Sequence, residues 1–381
     1  MTSTATGPTA LSERALGPDL ARGAMLLFIA LANSHYFLRG DSVLGGFPQE
    51  TGTLDRILTW LIATIVDGRA FPMFGLLFGY GVARIAARQS GPPKATRRLL
   101  WRRALVLVIV GALDGLLLFV GDILVAYGVV LAVGVWAVRW RDRWLWVVAA
   151  LFFALTALPS ENSMSISTAP PDSAMLPTDL AGQLADRLIA VPFIALVGPI
   201  GFAAPFLVGL WAGRRRVLEQ PEQHRRLLMT VAAVGISAAI LGAQPVALTL
   251  ARVIDRPGAD TLSYVGPLHD ATGVLGGAGY AAAIALLSVQ VKARPGRVIH
   301  ALAATGQRSM TCYLCQSPVW AVLFSGYLLD LSGTLSISAT AALATTTWVV
   351  TVLLADRMRD SGQRGPFEML VRRVTYGQPA S

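Results

Sequence analysis

Apolar runs of helical length recur along the chain at residues 23–38, 70–87, 102–120, 122–138, 144–158, 188–212, 227–250, 271–291, 309–328 and 336–355. A helix rising ~1.5 Å per residue needs about 20 such residues to cross the ~30 Å hydrocarbon core of a bilayer. The pattern predicts an all-α polytopic membrane bundle of about ten transmembrane helices. The stretch 102–138 is too long for one crossing, so it must fold back, and Gly121-Asp122 is the natural hairpin. The run Ile57–Val66 is short and closed by Asp67-Gly68-Arg69, which predicts an interfacial or re-entrant helix instead of a span. Residues 1–21 read as a disordered cytosolic tail, 22–356 as the transmembrane bundle and 357–381 as a cytosolic C-terminal tail. Within the bundle, 159–187 is rich in Pro, Ser and acidic residues and is expected to form an external loop. Pro192, Pro199 and Pro205 interrupt the run that follows, a break of the kind that lines a cavity.

Composition strengthens the membrane reading. A chain of 381 residues that is 54% hydrophobic and 14% charged, with a mean hydropathy of +0.58, has too much apolar surface for an ordinary soluble domain. The 32 basic residues exceed the 22 acidic ones, but they gather in short clusters between apolar runs. That is how cytoplasmic loops look, so lipid and not nucleic acid is the expected partner. The clusters at 84–103, 139–143, 214–226, 292–297 and 357–373 fall on one side if each run crosses once, which makes both termini cytosolic. Cys312 and Cys315 have no second pair at zinc spacing and read as buried small residues.

Ionisable groups inside spans are few and each is a functional candidate, because they are costly unless they face protein or water. The first span opens with Asp19-x-x-Arg22-Gly23 and closes with Asn33-x-His35, so Arg22 and His35 stand roughly 20 Å apart. A His beside a carboxylate is what general-base or nucleophilic acyl chemistry needs, and His35 with Asp122 at the hairpin is the preferred pair. The plainer reading has His35 at the headgroup level and Asp122 capping a helix. Asp114 could pair with an Arg, relay protons or pack against a neighbouring helix. His269 and Asp270 are expected outside the membrane, just ahead of the run 271–291, and His224 and His300 in solvated basic loops. No phosphate loop, dinucleotide fingerprint, zinc-protease motif or nucleophile elbow is present in the sequence.

Four motifs resemble a bacterial family. They are Gly306-Gln307-Arg308-Ser309-Met310-Thr311-Cys312-Tyr313 continuing through Gln316-Ser317, Arg69-x-Phe71-x-x-Phe74 continuing to Gly79-x-Gly81, Gly121-Asp122-Ile123-Leu124-x-x-Tyr127, and Gly365-Pro366-Phe367-Glu368 through Gly377. Together they are similar to the YeiB-like membrane proteins, domain of unknown function 418. The sequence departs from that pattern where Gln307 is inserted and where Asp114 stands in place of a His that many members carry.

The resemblance implies kinship with transmembrane acyltransferases of the bacterial inner membrane, which carry an acyl group from cytosolic acyl-CoA to an acceptor hydroxyl or amine. In those relatives an Arg-Gly pair opens the first helix and a catalytic His ends it, as Arg22-Gly23 and His35 do. No permanently bound cofactor is implied. Acyl-CoA is the expected donor, with Arg22 and Arg308 meeting its phosphates and Arg69, Asp114, Tyr127, Tyr313 and Gln316 lining the substrate path. Arg308 also reads as a positive-inside anchor. A proton-coupled transporter using Asp114 and His35, or a membrane scaffold, is the alternative that residues alone leave open.

Overall fold

The computed structural model describes residues 15–377, so the expected tail over 1–14 and the last residues, 378–381, lie outside the described part. It is all-helical, with helices α1 (Leu16–Ser34), α2 (Thr53–Ile65), α3 (Ala70–Ala87), α4 (Pro93–Leu117), α5 (Leu124–Gly134), α6 (Asp142–Ala157), α7 (Leu180–Arg214), α8 (Arg225–Leu250), α9 (Ala259–Lys292), α10 (Arg297–Gln307), α11 (Ser309–Leu314), α12 (Ser317–Phe324), α13 (Ile337–Asp360) and α14 (Pro366–Tyr376). The one strand pair described, β1 (Val43–Leu44) with β2 (Phe47–Pro48), is antiparallel and joined by Gly45 and Gly46 at positive φ.

Five segments are long and apolar enough to cross a membrane: Thr53–Ala87, α7, α8, α9 and α13. Much of their apolar surface faces outward, Ile189 and Leu196 of α7 being 75% exposed, as a lipid-facing wall requires. The protein is therefore a membrane protein. Its helices approach through small residues, because lipid supplies no hydrophobic drive between helices and close van der Waals contact must do so. A methyl at Gly79 of α3 would overlap the Phe206 carbonyl of α7, and one at Gly209 of α7 would overlap the Leu76 carbonyl of α3. α1 crosses α10 in the same way, Gly306 lying against the Asp19 backbone and Gly23 against the Leu302 carbonyl.

Several boundaries differ from the expectation. α1 begins at Leu16, and residues 17–21 are buried helix where a disordered tail was expected. Pro18 sits in the first turn, where its missing N–H is no loss, and the Asp19 backbone seats on Gly306. The loop expected over 159–187 is shorter, since α7 starts at Leu180 with Asp179 accepting from the Gly182 N–H as its cap. α9 starts at Ala259, which places His269 and Asp270 within a helix and not ahead of one. The run 309–328 is no continuous span: α11 ends at Leu314, α12 starts at Ser317, and Gln316 stands at the break. The C-terminal tail is also structured, since α14 packs Val371 and Thr375 into the bundle.

Gly306→Ala and Gly23→Ala should each lower stability by about 1–3 kcal/mol through overpacking, read as an earlier thermal transition of the detergent-solubilised protein. Gly201→Ala, with nothing within 4 Å of the added carbon, should leave that transition unchanged or slightly later.

Candidate functional site

The polar side chains of the bundle form three groups, and the nine residues expected to carry function are divided among them. The first lies where α1 ends. His35 begins a short 3-10 turn after Ser34 and is 1% exposed. The Gly45-Gly46 turn, at φ of 56° and 80°, lets the β1–β2 hairpin fold tightly enough for Phe47 to stack on the imidazole at 3.8 Å, with the planes 6° apart. The nearest charged partner of His35 is Asp67, whose Oδ2 lies 3.6 Å from Nε2. Neither ring nitrogen makes a hydrogen bond to the described residues.

Asp67 lies within the turn that joins α2 to α3, and Gly68 at φ 73° allows that turn to close against the His269 ring. Arg69 follows, fully buried. Its Nη1 donates to the Asp67 carbonyl and lies 2.8 Å from His269 Nε2, while Nη2 donates to the Ala239 carbonyl at 2.7 Å. His269 Nε2 thus stands between the Arg69 guanidinium, which only donates, and the Ala63 carbonyl at 2.9 Å, which only accepts. Asp270 Oδ1 is 3.3 Å from Nδ1, and Asp270 Oδ2 accepts from Ser163 Oγ at 2.6 Å in the 158–179 loop. A buried line of polar groups thus runs from His35 through Asp67, Arg69 and His269 to a half-buried Asp270.

The second group corrects the expected pairing of His35 with Asp122. α4 and α5 form a tight antiparallel hairpin, with Gly111 against the Val125 backbone, so Asp122 faces Asp114 of its own hairpin and not α1. Leu124 N–H donates to Asp122 Oδ1, and Ser317 Oγ donates to Asp114 Oδ2 at 2.8 Å. Gln316, at the α11–α12 break, donates to the Leu26 carbonyl at 3.4 Å. Arg187 of α7, 2% exposed, donates to the Ala174 carbonyl at 2.8 Å and faces Asp114 electrostatically. Arg187 was missed in the sequence because it was assigned to a loop; its place in an apolar stretch between Leu184 and Leu188 was the available signal.

The third group is a cavity of about 370 Å³ at the opposite, basic end of α1. Arg22, Arg84, Arg88, Arg103, Arg308 and Arg372 line it, together with Asp19, Glu219 and Glu368. Arg22 bonds to Asp19 at 3.2 Å and Arg84 to Glu219 at 2.7 Å. Arg308 donates to the Gln363 carbonyl just before α14, and Glu368 of α14 accepts from the Met310 N–H at 2.8 Å and from Thr311. α14 is thereby fastened across the α10–α11 junction. At its inner end the cavity reaches Tyr127 and Tyr313, the Tyr313 hydroxyl accepting from the Ile123 N–H at 3.2 Å. Ile123 and Leu124 are lining residues and Asp122 is buried behind them. The structure therefore brings Arg22, Arg308, Tyr127 and Tyr313 to one cavity, backs it with Asp122, Asp114 and Gln316, and sets His35 with Arg69 apart.

Residues 212–378 match the family described as Protein of unknown function (DUF418). The matched segment begins at the end of α7 and holds α8 to α14, with His269, Arg308, Tyr313 and Gln316. The whole chain is also similar to a Bacillus subtilis (strain 168) protein, "Uncharacterized protein YxaH", at 25% identity over 414 residues, covering 97% of this chain and 96% of that one. That similarity extends over the His35, Asp67, Arg69 and Asp122 segments as well.

Arg69→Ala should destabilise the protein by about 3–5 kcal/mol, because it removes a buried cation that ties the α2–α3 turn to α8 and α9 at once. Arg39→Ala, which breaks only the exposed 3.2 Å pair with Asp330, should cost less than about 1 kcal/mol in the same chemical-denaturation measurement.

Proposed function

We propose that the protein is an integral membrane acyltransferase that takes an acyl group from acyl-CoA and gives it to a hydroxyl or amine acceptor. The observation that carries this reading is the arginine-lined cavity at one end of α1 with a buried His–carboxylate pair at the other. Guanidinium groups bind phosphate oxygens in bidentate fashion, so Arg22 and Arg308 suit the phosphates of CoA. Tyr127 and Tyr313, at the inner end, flank the path by which the narrower arm would carry the thioester on toward His35. His35 is the base in this scheme, and Asp67 replaces Asp122 as the group that orients the imidazole and stabilises its protonated form. The acceptor O–H or N–H loses its proton to His35 as the acceptor attacks the thioester carbonyl. The carbon–sulfur bond then breaks, and the CoA thiolate takes a proton back from the imidazolium.

The charge rule supports an orientation with the basic end and both termini in the cytosol of a bacterium, the protein residing in its inner membrane. Counting the broken α11–α12 pair as one crossing and α5 as a short one gives about ten crossings. The likeness to acyltransferases rests on Arg22-Gly23 and His35 and belongs to this proposal. A proton-coupled transporter is the second reading, and what favours it is the buried Asp114–Asp122–Ser317 cluster directly behind the cavity wall.

In proteoliposomes supplied with a radiolabelled acyl-CoA, thioester turnover should vanish in His35→Ala and fall about 10²–10⁴-fold in kcat in Asp67→Asn. Arg22→Ala and Arg308→Ala should raise KM for acyl-CoA with kcat little changed. Turnover that persists in His35→Ala would remove the proposed base. Proton-dependent flux lost in Asp114→Asn, without any thioester turnover, would decide for transport.

A further inference from the structure

Helices α6, α7, α8 and α9 enclose a second cavity of about 530 Å³, separate from the arginine-lined one and unused by the proposed reaction. The segment after α7 divides the two. Arg216 adopts φ 56°, so Arg216 and Glu219 line the basic cavity while Val217 and Leu218 between them line the second. Thr230 is the one polar side chain on the second cavity's wall, and a Thr in a helix satisfies its hydroxyl against its own backbone, as Thr249 does. Small residues keep the space open: Ala149 of α6, Ala204 and Ala212 of α7, and Ala278 and Ala281 of α9. A Leu at any of them would occupy part of it.

The rim has a different chemistry. Trp146 and Trp211 meet edge to face at 5.1 Å, and the Arg215 guanidinium lies over the Trp211 ring at 5.4 Å. Arg214 and Arg215 also grip Asp142, at 3.0 and 2.9 Å, holding its carboxyl below the usual carboxylate range. Glu219 is bonded to Arg84 and Arg216. Arg225 and Arg226 are exposed and directly precede Leu227 and Leu228 on the cavity wall, with Glu222 three residues ahead as the nearest acid in sequence. An apolar slot, a tryptophan belt and surplus arginines follow the order of an acyl chain, an interface and a phosphate headgroup.

We propose that this cavity is a structural lipid site, holding an acyl chain of an anionic phospholipid whose phosphate is met by Arg225 and Arg226. A second copy of the chain is a poorer occupant, because a two-fold contact through this face would bring each basic rim against its own twin. The lining also explains why so many alanines are spent on helices that otherwise carry Leu and Val toward lipid.

Native mass spectrometry of the full chain released from detergent, with palmitoyl-oleoyl phosphatidylglycerol or the matching phosphatidylcholine added, tests the site. The wild type should retain one phosphatidylglycerol, at roughly tenfold lower lipid concentration than phosphatidylcholine. Ala278→Phe and Ala149→Leu, which fill the slot from opposite walls, should each lose that adduct at least tenfold while remaining monodisperse on size exclusion. Arg225→Gln with Arg226→Gln should keep lipid binding and lose the preference for phosphatidylglycerol. Equal binding of the two lipids by the wild type, or undiminished phosphatidylglycerol on a well-folded slot-filled variant, would overturn the proposal. So would a dimer that dissociates only in the slot-filled variants.

Discussion

A single buried guanidinium holds together the elements on which the rest of the bundle is arranged. Arg69 stands at the first turn of α3, is fully buried, and bonds to the end of α2, to α8 and to a His of α9. In a protein whose outer wall faces hydrocarbon, such a cation is tolerated only if protein groups replace water around it. That demand is directional. It fixes the turn after α2, hence Asp67, and the position of Asp67 in turn decides which carboxylate His35 meets. The small-residue contacts of α3 with α7 then carry the same frame to the far side of the molecule.

The arrangement separates two kinds of chemistry along one helix. Near Leu16 the walls are arginine and the space is open; at His35 the imidazole is sealed under Phe47. Between them lie the carboxyls of Asp114 and Asp122, closed behind Ile123 and Leu124. Tyr127 and Tyr313 stand at the inner end of the arginine-lined space. α14 closes this end, Glu368 capping the α11 backbone and Arg308 being held by the chain leading into α14.

How much of this was legible in the sequence depends on the range of the signal. α3, α7, α8 and α13 follow from apolar runs of spanning length, and the α4–α5 hairpin follows from a run too long for one crossing. The break between α11 and α12 was hidden because the run stays apolar through Cys315; only Gln316 and Pro318 hint at it. The start of α9 was set too late because Pro267 and the polar residues around it resemble a loop, although a helix packed on both sides tolerates them. Candidate residues were found readily, as rare ionisable groups in apolar surroundings. Their partners were not, because His35 and Asp67 are brought together by a turn and a hairpin whose mutual placement leaves no periodic trace. Asp67 could have been suspected from its place beside Arg69 at the junction of two apolar runs.

α5 has 11 residues, which span only about 16 Å, and α6 has 16, or about 24 Å. Val133 of α5 and Val147, Leu151 and Leu155 of α6 are exposed. Neither helix alone reaches across a hydrocarbon layer of about 30 Å, and both lie against α7, whose 35 residues reach about 52 Å. How this flank sits in a membrane is therefore set by α7, with α5 and α6 as shorter buttresses along part of its length.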